Sequence, residues 1–98
     1  MTLTDGVKKP AENPKVALPH RSQLAEAILF VLGRSEGPMK SSELDYEVMN
    51  HLKLTEVQRT SIRSQNRTQV SYELAWSRTT LKAQGLIHQP QSRHWSLV

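Results

Sequence analysis

The sequence predicts an α+β fold: three main helices and one short extra helix, closed by a C-terminal β-hairpin. Three observations carry this. Apolar residues recur at helical spacing in three separate stretches. Gly85 stands where the last of those stretches must stop, and a left-handed C-terminal turn costs glycine least. Two short segments, 86–89 and 94–98, then flank a turn at Pro90 to Arg93, which is a hairpin signal.

Residues 1–19 precede the first periodic stretch. Pro10, Pro14, Pro19 and Gly6 interrupt them, and their charges follow no helical period. They read as a flexible arm, with the domain proper over 20–98. The first helix runs from about Ser22 to Gly33. Leu24, Ala27, Ile28, Val31 and Leu32 form one apolar stripe, and Ser22 is the expected N-cap. Gly33 and Gly37-Pro38 supply the stop. Met39-Lys40 is a short extended piece. Ser41 or Ser42 then caps a second helix to about Lys53, with Leu44, Val48 and Leu52 on one face, helped by Met49.

Thr55-Glu-Val-Gln58 has the capping-box pattern, so a short extra helix is expected near 56–62. Ser61 to Thr68 is polar and basic and reads as a loop. The third main helix spans about Thr68 to Gln84, with Val70, Leu74, Ser77 and Leu81 on its buried face. In the second hairpin strand Trp95 and Leu97 share a face. A hairpin alone is only marginally stable, so its apolar side must pack on the helices. Helix, short strand, helix, helical turn, helix, strand, turn, strand is the order of a winged helix-turn-helix. In that arrangement the 68–84 helix is the recognition helix and the 90–93 turn is the wing.

Composition narrows the function. The chain's 98 residues fit one domain, and no apolar run is long enough to span a membrane. Met1 to Lys15 lacks the apolar core of a secretory signal. With no cysteine there is no disulfide, thiolate nucleophile or Cys-type zinc site, which suits a reducing cytoplasm. The net charge of +4 is unevenly placed. Residues 22–58 carry three Lys/Arg against six Asp/Glu, whereas residues 59–98 carry six against Glu73 alone. A basic C-terminal part favours an acidic partner such as nucleic acid.

The stretch from Asn66 to Ile87 resembles the N-terminal domain of Mrr-type restriction endonucleases. Arg67, Ala75-Trp76, Leu81-Lys82, Gly85-Leu86-Ile87 and Pro90 fall in the family's order, as do Gly37-Pro38, Glu43-Leu44 and Leu52-x-Leu54-Thr55 upstream. The likeness covers about residues 20–98. There are two departures. The family's Trp usually precedes its Ala, and its wing often has Gly near the position of Arg93. The resemblance implies a module that reads double-stranded DNA and is normally joined to a nuclease domain. That nuclease part would bring its own carboxylates and lysine from beyond residue 98. Ending where the wing strand ends suits a domain cut from a longer chain.

Arg63, Arg67, Gln69 and Ser71 flank or open the recognition helix. The start of such a helix enters the major groove, where Arg pairs with guanine and Gln with adenine. Arg78 and Thr79 lie further along the exposed face. Arg93, with Gln91, Ser92 and His94, tips the wing, where Arg suits the backbone or the minor groove. Trp76 and Trp95 are read as core residues and Tyr72 as partly exposed. His20, His51, His88 and His94 lack metal-site spacing. Glu43, Asp45 and Glu47 read as a solvated or partner-binding face on the second helix. No catalytic, metal or cofactor residue is expected. The alternatives to DNA recognition in a restriction-type system are a protein-interaction module or a small stand-alone transcriptional regulator.

Overall fold

The computed structural model describes residues 17–64 and 67–98, so most of the arm read over residues 1–19 lies outside the described residues. Nine elements follow one another: α1 (Arg21–Arg34), β1 (Met39–Lys40), α2 (Ser41–His51), α3 (Glu56–Thr60), β2 (Ile62–Ser64), β3 (Arg67–Thr68), α4 (Gln69–Ala83), β4 (Ile87–Gln91) and β5 (His94–Leu97). The fold is mixed α+β, with four helices and antiparallel strands.

The helices start where local chemistry can satisfy their first N–H groups. The cap of α1 is His20, two residues before the expected Ser22. Its Nδ1 accepts from the Ser22 amide at 3.1 Å, and Gln23 Oε1 accepts from the His20 amide at 3.0 Å. The expected capping box forms at α3: Thr55 Oγ1 accepts from Gln58 N at 3.2 Å, and Gln58 Oε1 accepts from Thr55 N at 2.7 Å. Thr68 caps α4 by accepting from Ser71 N at 3.1 Å. Gly85 follows α4 with φ +78°, the left-handed conformation expected of it.

α1 packs on both α2 and α4. Leu24, Ile28, Leu44, Val48, Val70, Leu74 and Ile87 are fully buried between them. Burying Leu or Ile side chains at about 25 cal/mol per Å² is the main force that assembles the three helices. Leu18 packs on the edge of this core and the Ala17 carbonyl accepts from Gln58 Nε2 at 2.9 Å, so Ala17 to Pro19 lie against the domain.

β1, β5 and β4 form an antiparallel sheet in that order, with Met39 opposite Trp95 and Ile87 opposite Leu97. β5 is central. β4 is an edge strand, where Pro90 is tolerated because no ladder hydrogen bond needs its missing N–H. Trp95 is buried and its Nε1 donates to Ser41 Oγ at 2.8 Å, pinning the hairpin to the start of α2. Leu97 stays more than a third exposed although it shares the Trp95 face.

Two expectations are corrected. Ser61 to Thr68 is not simply a loop: β2 and β3 pair antiparallel, with Ile62 opposite Thr68 and Ser64 opposite Arg67. Backbone pairing holds this ribbon, and every β2 side chain is exposed, so no apolar alternation announces it. Trp76 is not core but 47% exposed. The buried stripe of α4 is Val70, Leu74, Ser77 and Leu81. Trp76 sits one residue off that stripe, a turn of about 100° that takes it to another face.

Candidate nucleic-acid interface

The exposed side of α4 is built at helical spacing. Tyr72, Trp76 and Thr79 follow at i, i+4 and i+7, with Ala75 between them. Tyr72 and Trp76 meet edge to face, with centroids 6.5 Å apart and planes at 71°. This is a preferred geometry for aromatic pairs. Arg63, projecting from β2, lays its guanidinium 3.7 Å from the Tyr72 ring centroid, and Arg67 on β3 lies 5.9 Å from the same centroid. Arg67, Tyr72, Ala75, Trp76 and Thr79 line an open surface depression of about 300 Å³. The ribbon is held to the helix by its own backbone, because Gln69 N donates to Ser61 O at 2.8 Å.

The structure therefore brings together Arg63 and Arg67, both exposed and neither in an ion pair among the described residues. Gln69 is half-buried at the base of the ribbon and its Nε2 donates to Glu73 at 3.4 Å. Glu73 in turn accepts from Arg21 Nε at 2.7 Å. Ser71 is half-buried in the capping turn.

Arg78 is a correction. Instead of lying on the exposed face, it pairs with Asp45 of α2, and the two side chains are only 11% and 15% exposed. It also lies 5.7 Å from the Trp95 ring centroid. Arg78 falls four residues after Leu74 and three before Leu81, at the edge of the buried stripe, so the long side chain turns inward and bridges to α2. Burial pushes the Asp45 carboxyl above its ordinary range, and the pull of Arg78 in the other direction does not cancel it. Asp45 thus leaves the solvated acidic face expected of α2. Arg59 is structural as well: its guanidinium donates to the Leu54 and Met49 carbonyls and to Asn50 Oδ1, at 2.9, 3.3 and 3.1 Å.

Arg93 occupies the tip between β4 and β5, exposed and with φ +62°. Its carbonyl accepts from Ser41 N at 2.9 Å, so the tip is anchored to the start of α2. A side chain at positive φ is uncommon outside Gly, Asn and Asp, and this is the position where the resembling family often has Gly. Tyr72 is partly exposed as expected, and it is Trp76, expected in the core, that completes an exposed aromatic pair with it. Their i, i+4 spacing, off the 70/74/77/81 stripe, is the sequence signal of that pair.

A second surface feature lies between α1 and α2. Phe30 is exposed and stacks on His51 with centroids 4.4 Å apart. Among the described residues no group of three His, Asp or Glu side chains gathers as a metal site would require, and no helix is long and apolar enough to cross a membrane.

Residues 22–98 match the family model of the Mrr N-terminal domain. No curated protein and no solved structure matches the chain.

Proposed function

We propose that this chain, which belongs to the Mrr N-terminal domain family, is a winged-helix module that binds double-stranded DNA. It serves as the recognition part of a restriction-type system and carries no catalytic residues of its own. The nuclease chemistry belongs to a separate domain.

The element order and the sheet order β1-β5-β4 support the winged-helix reading, with α4 as recognition helix and the β4–β5 hairpin as wing. The observation that carries DNA binding is the charge left at the surface around α4. Arg63 and Arg67 are exposed beside it, while Glu73 of α4 and Asp45 of α2 are engaged by Arg21 and Arg78. Free cations next to neutralised acids make a surface that attracts a polyanion. Arg93 at the hairpin tip supplies a further cation for the DNA backbone.

Fluorescence-anisotropy titration of the whole chain with duplex DNA at a series of salt concentrations tests this. Three or more phosphate contacts give a log–log slope of about −3 or steeper. Arg63→Ala and Arg67→Ala each weaken binding. No binding at low salt would leave the protein-interaction reading, which the exposed Phe30 on the α1–α2 side favours.

A further inference from the structure

We propose that the exposed face of α4 reads thymine through its C5-methyl group, with Trp76 as the specificity-determining side chain. This rests on the DNA-binding reading above and says what the bound helix recognises.

The argument starts from which side chains of α4 are free to read a base. Hydrogen-bonding readers are mostly engaged elsewhere. Gln69 donates to Glu73, and Arg78 is paired with Asp45. The Thr79 hydroxyl donates to the Ala75 carbonyl at 3.1 Å. Ser71 is half-buried in the cap. What this face presents outward from Tyr72 to Thr79 is mainly apolar: Tyr72, Ala75 and Trp76, beside Thr79, line the depression, while the exposed Lys82 further along donates to Gln89 Oε1 at 3.4 Å.

A major-groove base edge offers one alkyl group, the thymine C5-methyl, and apolar side chains are its natural partners. Trp76, 47% exposed beside a depression of about 300 Å³, is a large apolar surface with nothing covering it among the described residues. Its ring is held edge to face on Tyr72, which is itself held under Arg63. The contact surface is therefore formed before DNA arrives, which reduces the ordering cost of binding. Arg63 and Arg67 set positive charge at one end of this face, complementary to the phosphates that border a groove.

The test uses the full chain and a pool of short random duplexes, made once with thymidine and once with deoxyuridine throughout. The two pools differ only by the C5-methyl. Wild type should bind the thymidine pool more tightly, by about fourfold for each methyl contacted. Trp76→Ala should bind the two pools equally, with its salt slope and melting temperature near those of wild type. Equal binding of both pools by wild type overturns this proposal and leaves the DNA-binding reading standing. Discrimination that survives in Trp76→Ala also overturns it, because duplex shape would then be the cause. Failure to bind either pool at low salt overturns both readings.

Discussion

Cutting the Asp45–Arg78 pair at one end separates its structural role from a DNA-binding one. Asp45→Ala leaves the Arg78 guanidinium in a site where it is only 11% exposed, with its Nε already buried and without a partner among the described residues. Removing one partner of a buried pair costs about 3–5 kcal/mol, because the remaining charge is uncompensated. In a domain of this size each kcal/mol lowers Tm by about 4–8 °C. Asp45→Ala should therefore lose at least ~12 °C in a thermal melt followed by circular dichroism. The double variant Asp45→Leu/Arg78→Met should recover most of that loss. Replacing both charges with apolar groups of similar volume is often neutral, and the raised Asp45 carboxyl says that burial already outweighs the attraction here. The double variant should also keep the wild-type salt slope for DNA. If Asp45→Ala melts within a few degrees of wild type, or if the double variant is as unstable as the single, the pair is not the buried link between α2 and α4 described above. A slope that drops by about one would return Arg78 to the phosphate contacts.

Three further outcomes follow from the same geometry. Leu74→Ala and Leu81→Ala remove fully buried side chains and should each destabilise by about 2–5 kcal/mol in urea titrations, and a silent substitution would mean that the buried face of α4 is wrongly placed. Arg93 holds φ +62°, a strain that Ala shares and Gly relieves, so Arg93→Gly and Arg93→Ala should each reduce the DNA salt slope by about one while Arg93→Gly melts above Arg93→Ala; equal Tm values for the two would show that the tip conformation carries no strain. Because folding raises the Asp45 carboxyl above its unfolded value, its protonated form favours the folded state: that stabilisation is full below the unfolded value and is lost as pH rises through the folded one. Melts of wild type against Asp45→Asn across the acidic range should show this loss in wild type only, and the opposite slope would mean that Arg78 dominates.

Much of the fold is legible in the sequence because burial imposes periods. The stripe Leu24, Ala27, Ile28, Val31 and Leu32 is the buried face of α1, and Val70, Leu74, Ser77 and Leu81 is that of α4. Gly85 and the Thr55–Gln58 box act through local backbone chemistry, so they are legible too. The β2–β3 ribbon is not, because its side chains are mostly exposed, Ile62 included, and its bonds are between backbones. His20 is missed as a cap because imidazole is an uncommon N-cap acceptor. Of the candidate site, Arg63 and Arg67 stand where their charge suggests. Arg78 does not, since its place at the edge of the buried stripe, four residues after Leu74, and a carboxylate 33 positions away draw it inward. Such long-range pairing has no local signature.

The placement of the six cations in residues 59–98 bears on how the surface works. Arg59 and Arg78 hold the scaffold, one at the end of α2 and the other between α2 and α4. Arg63, Arg67 and Arg93 are exposed on strands and a turn, and Lys82 is exposed in the last turn of α4, where its Nζ donates to Gln89 Oε1 of β4 at 3.4 Å. The exposed face of α4 from Tyr72 to Thr79 is thus mainly apolar, and the exposed cations stand around it on the ribbon, on the hairpin and in the last turn of the helix. That division works only if the three parts keep a fixed relation. Each junction has a short backbone or charged link: Gln69 N to Ser61 O at 2.8 Å, Ser41 N to Arg93 O at 2.9 Å, and Asp45 to Arg78. A loose mount would let phosphate contacts and base contacts form separately, each losing the ordering advantage of the other. The buried Asp45–Arg78 pair is therefore best understood as the part that fixes α4 against α2, so that Arg63 and Arg67 keep their place beside its exposed face.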